Sequence, residues 1–365
     1  MTRIRVALIS TAPMSHTGSM RLYADLVQRA LAIYAPQLDT LPISLVESHS
    51  AGDDNALRAR GRRLWEIALA RLRAGQIQAS VFHVLDGSSG FMLAGIPWER
   101  VLVTVHDLIP ALQASDRFPI ARPSWAARRL ITASLGVIRK AGATCAVSQA
   151  TADDLAALTG RKVDAVIPLY LREFPPVSEP AQSNSHREGP YLLHVGNGGF
   201  YKNRLGVLAV FARLAEGRQD LRLVFAGAEG DAVLCREIAA LGLTNRVKFE
   251  VDPDDARLAA LYRGAALMLF PSLYEGFGWP PLEAMHFGCP VVCSDAGSLP
   301  EVTGDAALRC APDDVAGLAA AAMRILDDRD LARDLVVRGT RNLERFTAQR
   351  MAAELVRLYE GLADG

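Results

Sequence analysis

The chain has 365 residues, 50% of them hydrophobic and 22% charged, with a formal net charge of zero. That length and apolar content suit two globular domains with sizeable cores, and the neutral total argues against a dedicated nucleic-acid binder. The zero conceals an asymmetry, since residues 1–170 carry 19 Lys and Arg against 13 Asp and Glu, while the remainder carries 21 against 27. The basic half is suited to an acidic surface.

The cysteines at 145, 235, 289, 293 and 310 form no CxxC pair and no Cys/His cluster with zinc spacing. Reduced thiols in a cytoplasmic protein, with no bound metal, are the expectation. MTRIRVALIST at the N-terminus reads as a strand, not a signal peptide, and no apolar run approaches the ~20 residues of a membrane span.

Short apolar runs alternate with helical periods along the chain. RVALIS (5–10), SVFHVL (80–85), VLVTVH (101–106) and ATCAVS (143–148) read as buried parallel strands, with helical patterns such as 20–35 and 56–74 between them. Residues 173–190, EFPPVSEPAQSNSHREGP, lack periodicity and read as a linker. The alternation then restarts with YLLHVG (191–196), LRLVFAG (221–227), VKFEV (247–251), ALMLF (266–270) and PVVCS (290–294), and 313–363 is nearly all helical. The expected fold class is α/β, with two doubly wound Rossmann-like domains facing across a cleft. The expected boundaries are an N-terminal domain at 1–172, the linker at 173–190, a C-terminal domain at 191–345, and a helix at 346–365 packing back on the N-terminal domain.

The stretch PSLYEGFGWPPLEAMHFGCPVV (271–292) carries the most chemistry. Gly276 and Gly278 let backbone amides approach a ligand, and Pro280-Pro281 suits the first turn of a helix. Free N–H groups and the helix dipole favour an anion there. Glu275 and Glu283 would repel an anion but would accept hydrogen bonds from hydroxyls. A ligand anionic in the middle and hydroxylated at its ends, a nucleotide sugar, satisfies both; helix capping by the two acids is the plain alternative. Lysine is rare here, four residues against 36 arginines, and Lys202 lies in HVGNGGFYKNR (194–204), where a diphosphate would be held. In the first half, Gly18 lies in a small-residue loop before a helix, and His106 and Asp107 end a strand on the ligand side of the sheet.

The run from Glu275 through Glu283, continued by Ser298-Leu-Pro-Glu-Val-Thr-Gly-Asp-Ala-Ala307, resembles the signature of the retaining family 4 glycosyltransferases of GT-B fold. The glycine loop near the start, Val105-His106-Asp107-Leu108, Val147-Ser148, and Val195-Gly196 through Lys202-Asn203 extend the resemblance over nearly the whole chain. The form is similar to bacterial mannosyl- and rhamnosyl-type transferases of polysaccharide and O-antigen assembly, many of which use GDP-mannose. The resemblance implies catalytic roles for Glu275 at the donor hexose, His106 near its primary hydroxyl, and Lys202 at the diphosphate. It places Gly18, Gly196, Lys202, Asn203, Arg204, Gly276, Phe277 and Gly278 around sugar and phosphates, Glu283 on the ribose, and Val251 and Asp252 by the nucleobase. Asp252 equally suits capping the following helix. Tyr201 stands where relatives often carry arginine, a charge that Arg204 would have to replace. The implied reaction is hexosyl transfer to a glycan or lipid-linked acceptor, without metal or cofactor. A UDP- or dTDP-sugar donor is the alternative, and a non-catalytic nucleotide-sugar-binding partner is another.

Two basic stretches bear tryptophan. Residues 56–74 hold arginines 58, 60, 62, 63, 71 and 73 with Trp65, and residues 117–140 hold Arg122, Trp125, Arg128, Arg129, Arg139 and Lys140. Each reads as a solvated helix face. Together they suit peripheral contact with an anionic membrane at its cytoplasmic side.

Overall fold

The computed structural model describes residues 3–10, 18–45, 65, 67–115, 117–118, 120, 122–175 and 189–365. Arginines 58, 60, 62 and 63, the loop at 11–17 and most of the expected linker lie outside them. The chain forms two compact units, Met1–Tyr170 with Thr347–Gly365, and Leu171–Phe346.

In the first unit the strands are β1 (Arg5–Ser10), β2 (Asp39–Ser44), β3 (Val81–Val84), β4 (Val101–Val105), β5 (Ala143–Ala146) and β6 (Ala165–Val166). They form one parallel sheet in the order β2-β1-β3-β4-β5-β6. β3, β4 and β5 are buried along their whole length, as mainly apolar runs require when both sheet faces are covered. β2 was not among the expected strands. Its sequence DTLPIS is half-exposed, and Pro42 is tolerated because the strand lies at the sheet edge. Its helices include α1 (Ser19–Tyr34), α2 (Ile109–Ala114), α3 (Trp125–Lys140) and α4 (Gln149–Thr159), and residues 67–74 are helical as well.

The second unit alternates β7 (Tyr191–Gly196), α5 (Arg204–Gly217), β8 (Arg222–Gly227), α6 (Ala232–Ala240), β9 (Val247–Val251), α7 (Asp255–Gly264), β10 (Leu267–Phe270), α8 (Trp279–His286), β11 (Val291–Ser294), α9 (Leu299–Thr303) and β12 (Ala307–Cys310), then α10 (Val315–Asp327) and α11 (Arg329–Leu343). Asp231, Asp254, Asp314 and Asp328 cap α6, α7, α10 and α11 by accepting from first-turn amides. Leu192, Phe211, Leu223, Phe225, Leu269 and Leu318 lie in its core. The sheet order is β12-β11-β10-β7-β8-β9, all parallel. Strand order therefore reverses between β7 and β10, and in such sheets a crevice opens at the carboxyl ends of those two strands.

The last helix, α12 (Ala348–Asp364), belongs to the first unit. It buries Met351, Leu355, Leu358, Tyr359 and Leu362, and packs on α1, β3 and β4. The Tyr359 hydroxyl lies 2.7 Å from His83 Nδ1, and His83 Nε2 lies 2.8 Å from Thr104 Oγ1. Tyr23 also reaches Thr104, at 3.0 Å, so the helix is tied to the sheet by a buried polar chain.

Candidate active site

The loops after β7 and β10 meet at the reversal point of the second sheet. After β7, a short 3₁₀ turn at Phe200–Lys202 leads into α5. Asn203 adopts the left-handed region, φ 52°, and its side chain accepts from the Gly206 amide. Its Nδ2 donates to the carbonyls of Pro271 and Pro312, at 2.9 and 3.1 Å, so this expected donor contact is a brace between loops. The Lys202 stem lies across Gly196, where a Cβ would sit 3.2 Å from the Lys202 Cδ. A glycine at 196 keeps that passage open.

Lys202 Nζ donates to both oxygens of Glu275, at 2.9 and 3.1 Å. Both residues are buried, Lys202 at 8% and Glu275 at 6% exposed. The ammonium also lies 5.0 Å from the Phe270 ring centroid. Burial of either charge without its partner would be costly, so the two are held as a pair.

The loop bearing Glu275 is fixed from behind. Ser298, fully buried, donates its hydroxyl to the carbonyls of Glu275 (3.1 Å) and Phe277 (2.6 Å), and its amide also reaches the Glu275 carbonyl. Gly297 has φ +57°, and a Cβ there would meet the Glu275 carbonyl oxygen at 2.6 Å. The Phe277 side chain points into the core against Phe346, with ring centroids 5.7 Å apart. Gly278 (φ 98°) begins α8 without a side-chain cap, and Pro280 follows Trp279 in its first turn. Glu283 lies inside α8, not at its start, so neither acid is a cap. Glu283 is 5% exposed; its Oε1 accepts from Arg172 Nε at 2.9 Å and its Oε2 from the Tyr262 hydroxyl at 2.8 Å.

Arg204, the residue expected to replace the missing arginine charge, is buried, at 7% exposed. Its guanidinium donates to the carbonyls of Ala228 and Glu229 and lies over the Phe225 and Phe249 rings. At the edge strand, Val251 is half exposed and Asp252 holds φ 42°, its amide donating to the Gly227 carbonyl. Asp254, and not Asp252, caps the next helix. Asp252 is thus exposed beside the Gly227 turn.

In the first unit, His106 is buried and its Nε2–H donates to the Leu85 carbonyl at 2.8 Å. That leaves Nδ1 as the other ring position. Burial lowers its pKa below the ordinary histidine value, and Tyr23 packs edge-on at 4.4 Å between centroids. Gly18 precedes α1 with φ −83°, a conformation open to any residue. Among the described residues no group of three or more His, Cys, Asp or Glu could hold a metal ion.

Arg172, Tyr262, Gly297 and Ser298 were given no role from sequence. Ser298 opens the second stretch quoted for the resemblance, but its grip on Glu275 spans 23 positions and leaves no local signal. Arg172 lies just before the proline-rich segment that suggested only a linker.

Residues 178–341 match the family described as glycosyl transferases group 1. The O-antigen chain mannosyltransferase B of Escherichia coli is 34% identical over 173 residues, 47% of this chain and 45% of that protein. The chain spans less than half the length of such curated relatives. Sucrose-phosphate synthase from Thermosynechococcus elongatus superposes with a TM-score of 0.78 at 20% identity, over 99% of both chains. Anabaena HepE, solved in complex with UDP-glucose, superposes at 0.72 and 17%, over 98% of this chain and 100% of that one. By these matches the C-terminal unit belongs to the glycosyl transferases group 1, in a chain with the two-domain α/β fold of the GT-B type.

Proposed function

We propose that the chain is a retaining hexosyltransferase that moves mannose from GDP-mannose to a glycan or lipid-linked acceptor in bacterial polysaccharide assembly. The observation that carries this reading is the buried Lys202–Glu275 pair at the reversal point of the second sheet. Donor binding brings two competing partners: phosphate oxygens for the ammonium and sugar hydroxyls for the carboxylate. Lys202 moves toward the diphosphate and stabilises the charge that grows as the anomeric C–O bond breaks. The Glu275 carboxylate, on a backbone held by Ser298 and Gly297, accepts from the hexose hydroxyls. The amides of Gly276, Phe277 and Gly278 serve sugar and phosphate, and Glu283 accepts from the ribose. His106 contributes an imidazole to the hexose side. The acceptor oxygen attacks from the face of the departing diphosphate, which takes its proton. No metal ion is required in this reading, because ammonium and amides carry the charge.

The mannosyltransferase relative supports mannose as the transferred sugar. A UDP-sugar donor is the second reading, favoured by the UDP-glucose bound to a structural neighbour. Calorimetric titration with GDP, UDP and dTDP separates them. Tight binding of GDP alone supports the first reading, preference for a uridine or thymidine nucleotide overturns it, and binding without transfer identifies a non-catalytic partner.

A membrane-bound acceptor accords with helix α3. Trp125 is 70% and Leu130 41% exposed, and the Arg129 guanidinium stacks 4.4 Å from the Trp125 ring. In this reading α3 rests on anionic lipid at the cytoplasmic face. Among the described residues no helix is long and apolar enough to cross a membrane. Sedimentation with phosphatidylglycerol vesicles, lost on replacing Trp125, Arg128 and Arg129 by alanine, is the expected result; unchanged sedimentation overturns it.

A further inference from the structure

The segment that opens the second unit is fastened directly to Glu283. Arg172, whose side chain is 16% exposed, lies between the Glu283 and Asp255 carboxylates, pairing with both. Its guanidinium also stacks on Phe174, 4.2 Å from the ring centroid. Phe174 in turn packs edge-on against Phe287, at 4.8 Å, and alongside His286, at the end of α8. Tyr262, fully buried and stacked on Phe287, grips the second oxygen of Glu283 from α7.

These contacts leave a specific set of vacant acceptor directions. A carboxylate offers about four lone-pair sites, two on each oxygen. Arg172 occupies one on Oε1 and Tyr262 one on Oε2. By these bonds one site remains on each oxygen, a number that suits two neighbouring hydroxyls. We propose that Arg172, with Tyr262, is a positioning residue that sets the Glu283 carboxylate for a vicinal diol and thereby selects ribose-bearing donors. The proposal rests on the ribose role given to Glu283 above. Lysine cannot replace the arginine fully, because a point charge cannot span two carboxylates with fixed geometry as a guanidinium fork does.

The test is a calorimetric matrix. GDP and UDP, each beside its 2′,3′-dideoxy counterpart, are titrated into the wild-type chain, Arg172→Met, Arg172→Lys, Tyr262→Phe and Glu283→Gln, with thermal melts confirming folding. The wild type should lose about tenfold in affinity when the diol is removed, the scale of a charge-assisted hydrogen bond. Arg172→Met should weaken the ribonucleotide by a similar factor and leave the dideoxy ligand unchanged. Arg172→Lys should restore part of the loss, and Tyr262→Phe should reproduce a smaller version of it. Equal weakening of ribo and dideoxy ligands in Arg172→Met overturns the proposal and makes the arginine a general brace. If Glu283→Gln keeps the wild-type preference for the diol, the ribose role of Glu283 itself fails, a separate outcome. A chain in which Arg172→Met does not fold is decided by Arg172→Lys and Tyr262→Phe, which must still lose diol preference.

Discussion

Lys202 and Glu275 are each other's charge partner: the ammonium nitrogen lies 2.9 and 3.1 Å from the two carboxylate oxygens, with both side chains nearly excluded from solvent. Removing one partner strands the other charge, at a cost of about 3–5 kcal/mol. Lys202→Met and Glu275→Gln should each destabilise the chain on that scale in urea unfolding. The double variant, with no stranded charge, should recover most of the stability and yet remain inactive. A double variant as unstable as the sum of the singles would show that the pair is not energetically coupled.

Gly297→Ala tests how finely Glu275 must be placed. The new Cβ would collide with the Glu275 carbonyl oxygen from a backbone held at φ +57°. Strain of this kind costs about 1–3 kcal/mol, and the loop has to shift to relieve it. Turnover should fall about a hundredfold, as expected of sub-ångström to ångström misplacement of a reacting group. Near-normal turnover in a folded variant would remove Glu275 from the reaction.

Stability should fall on mild acidification. His83 and His194 are fully buried, and burial pushes the pKa of each down to about 3. Their unfolded values lie near 6.5, so below that pH the unfolded chain binds protons that the folded chain refuses. Unfolding free energy therefore drops as pH falls below 6.5, by about 1.4 kcal/mol per unit for each histidine once well past it. Glu250, lowered to about 2 by its hydrogen bond with Arg257, adds a loss of the same sign only near and below its ordinary value of 4.5. Melts across pH 7 to 5 should show the histidine contribution; a flat profile there would contradict it.

Chelation supplies a further check. Transfer activity should persist in excess EDTA, because the proposed charge stabilisation comes from Lys202 and backbone amides. Activity abolished by chelation and restored by a divalent ion would replace that assignment.

Much of the fold was written locally. β3, β4, β5 and β10 are short, wholly buried and apolar, so their runs stand out between helical periods. β2 and β12 escaped because sheet edges tolerate a proline or charged residues; Pro42 and Arg309 break the apolar signal. The site was legible as two glycine-bearing loops with rare or unusual charges, but not as a set of bonds. Lys202 and Glu275 are 73 positions apart, and Arg172 and Glu283 are 111 apart. Such pairings depend on which strands become neighbours, a property of the whole sheet. Asn203 Nδ2 and the two terminal nitrogens of Arg204 donate to backbone carbonyls that only the folded loops bring within reach, bonds that their sequence positions did not announce.

The first unit is assembled from segments on either side of residues 171–346, with α12 supplying part of its interior. During synthesis, residues 171–346 are all made before that interior can be completed. The second unit is therefore free to finish while the first still waits, exposing the apolar surface that Leu355, Leu358 and Tyr359 will cover. Completion of the earlier half has to await residues 347–365. Loss of residues 347–365 would leave the sheet built from residues 5–166 without its cover.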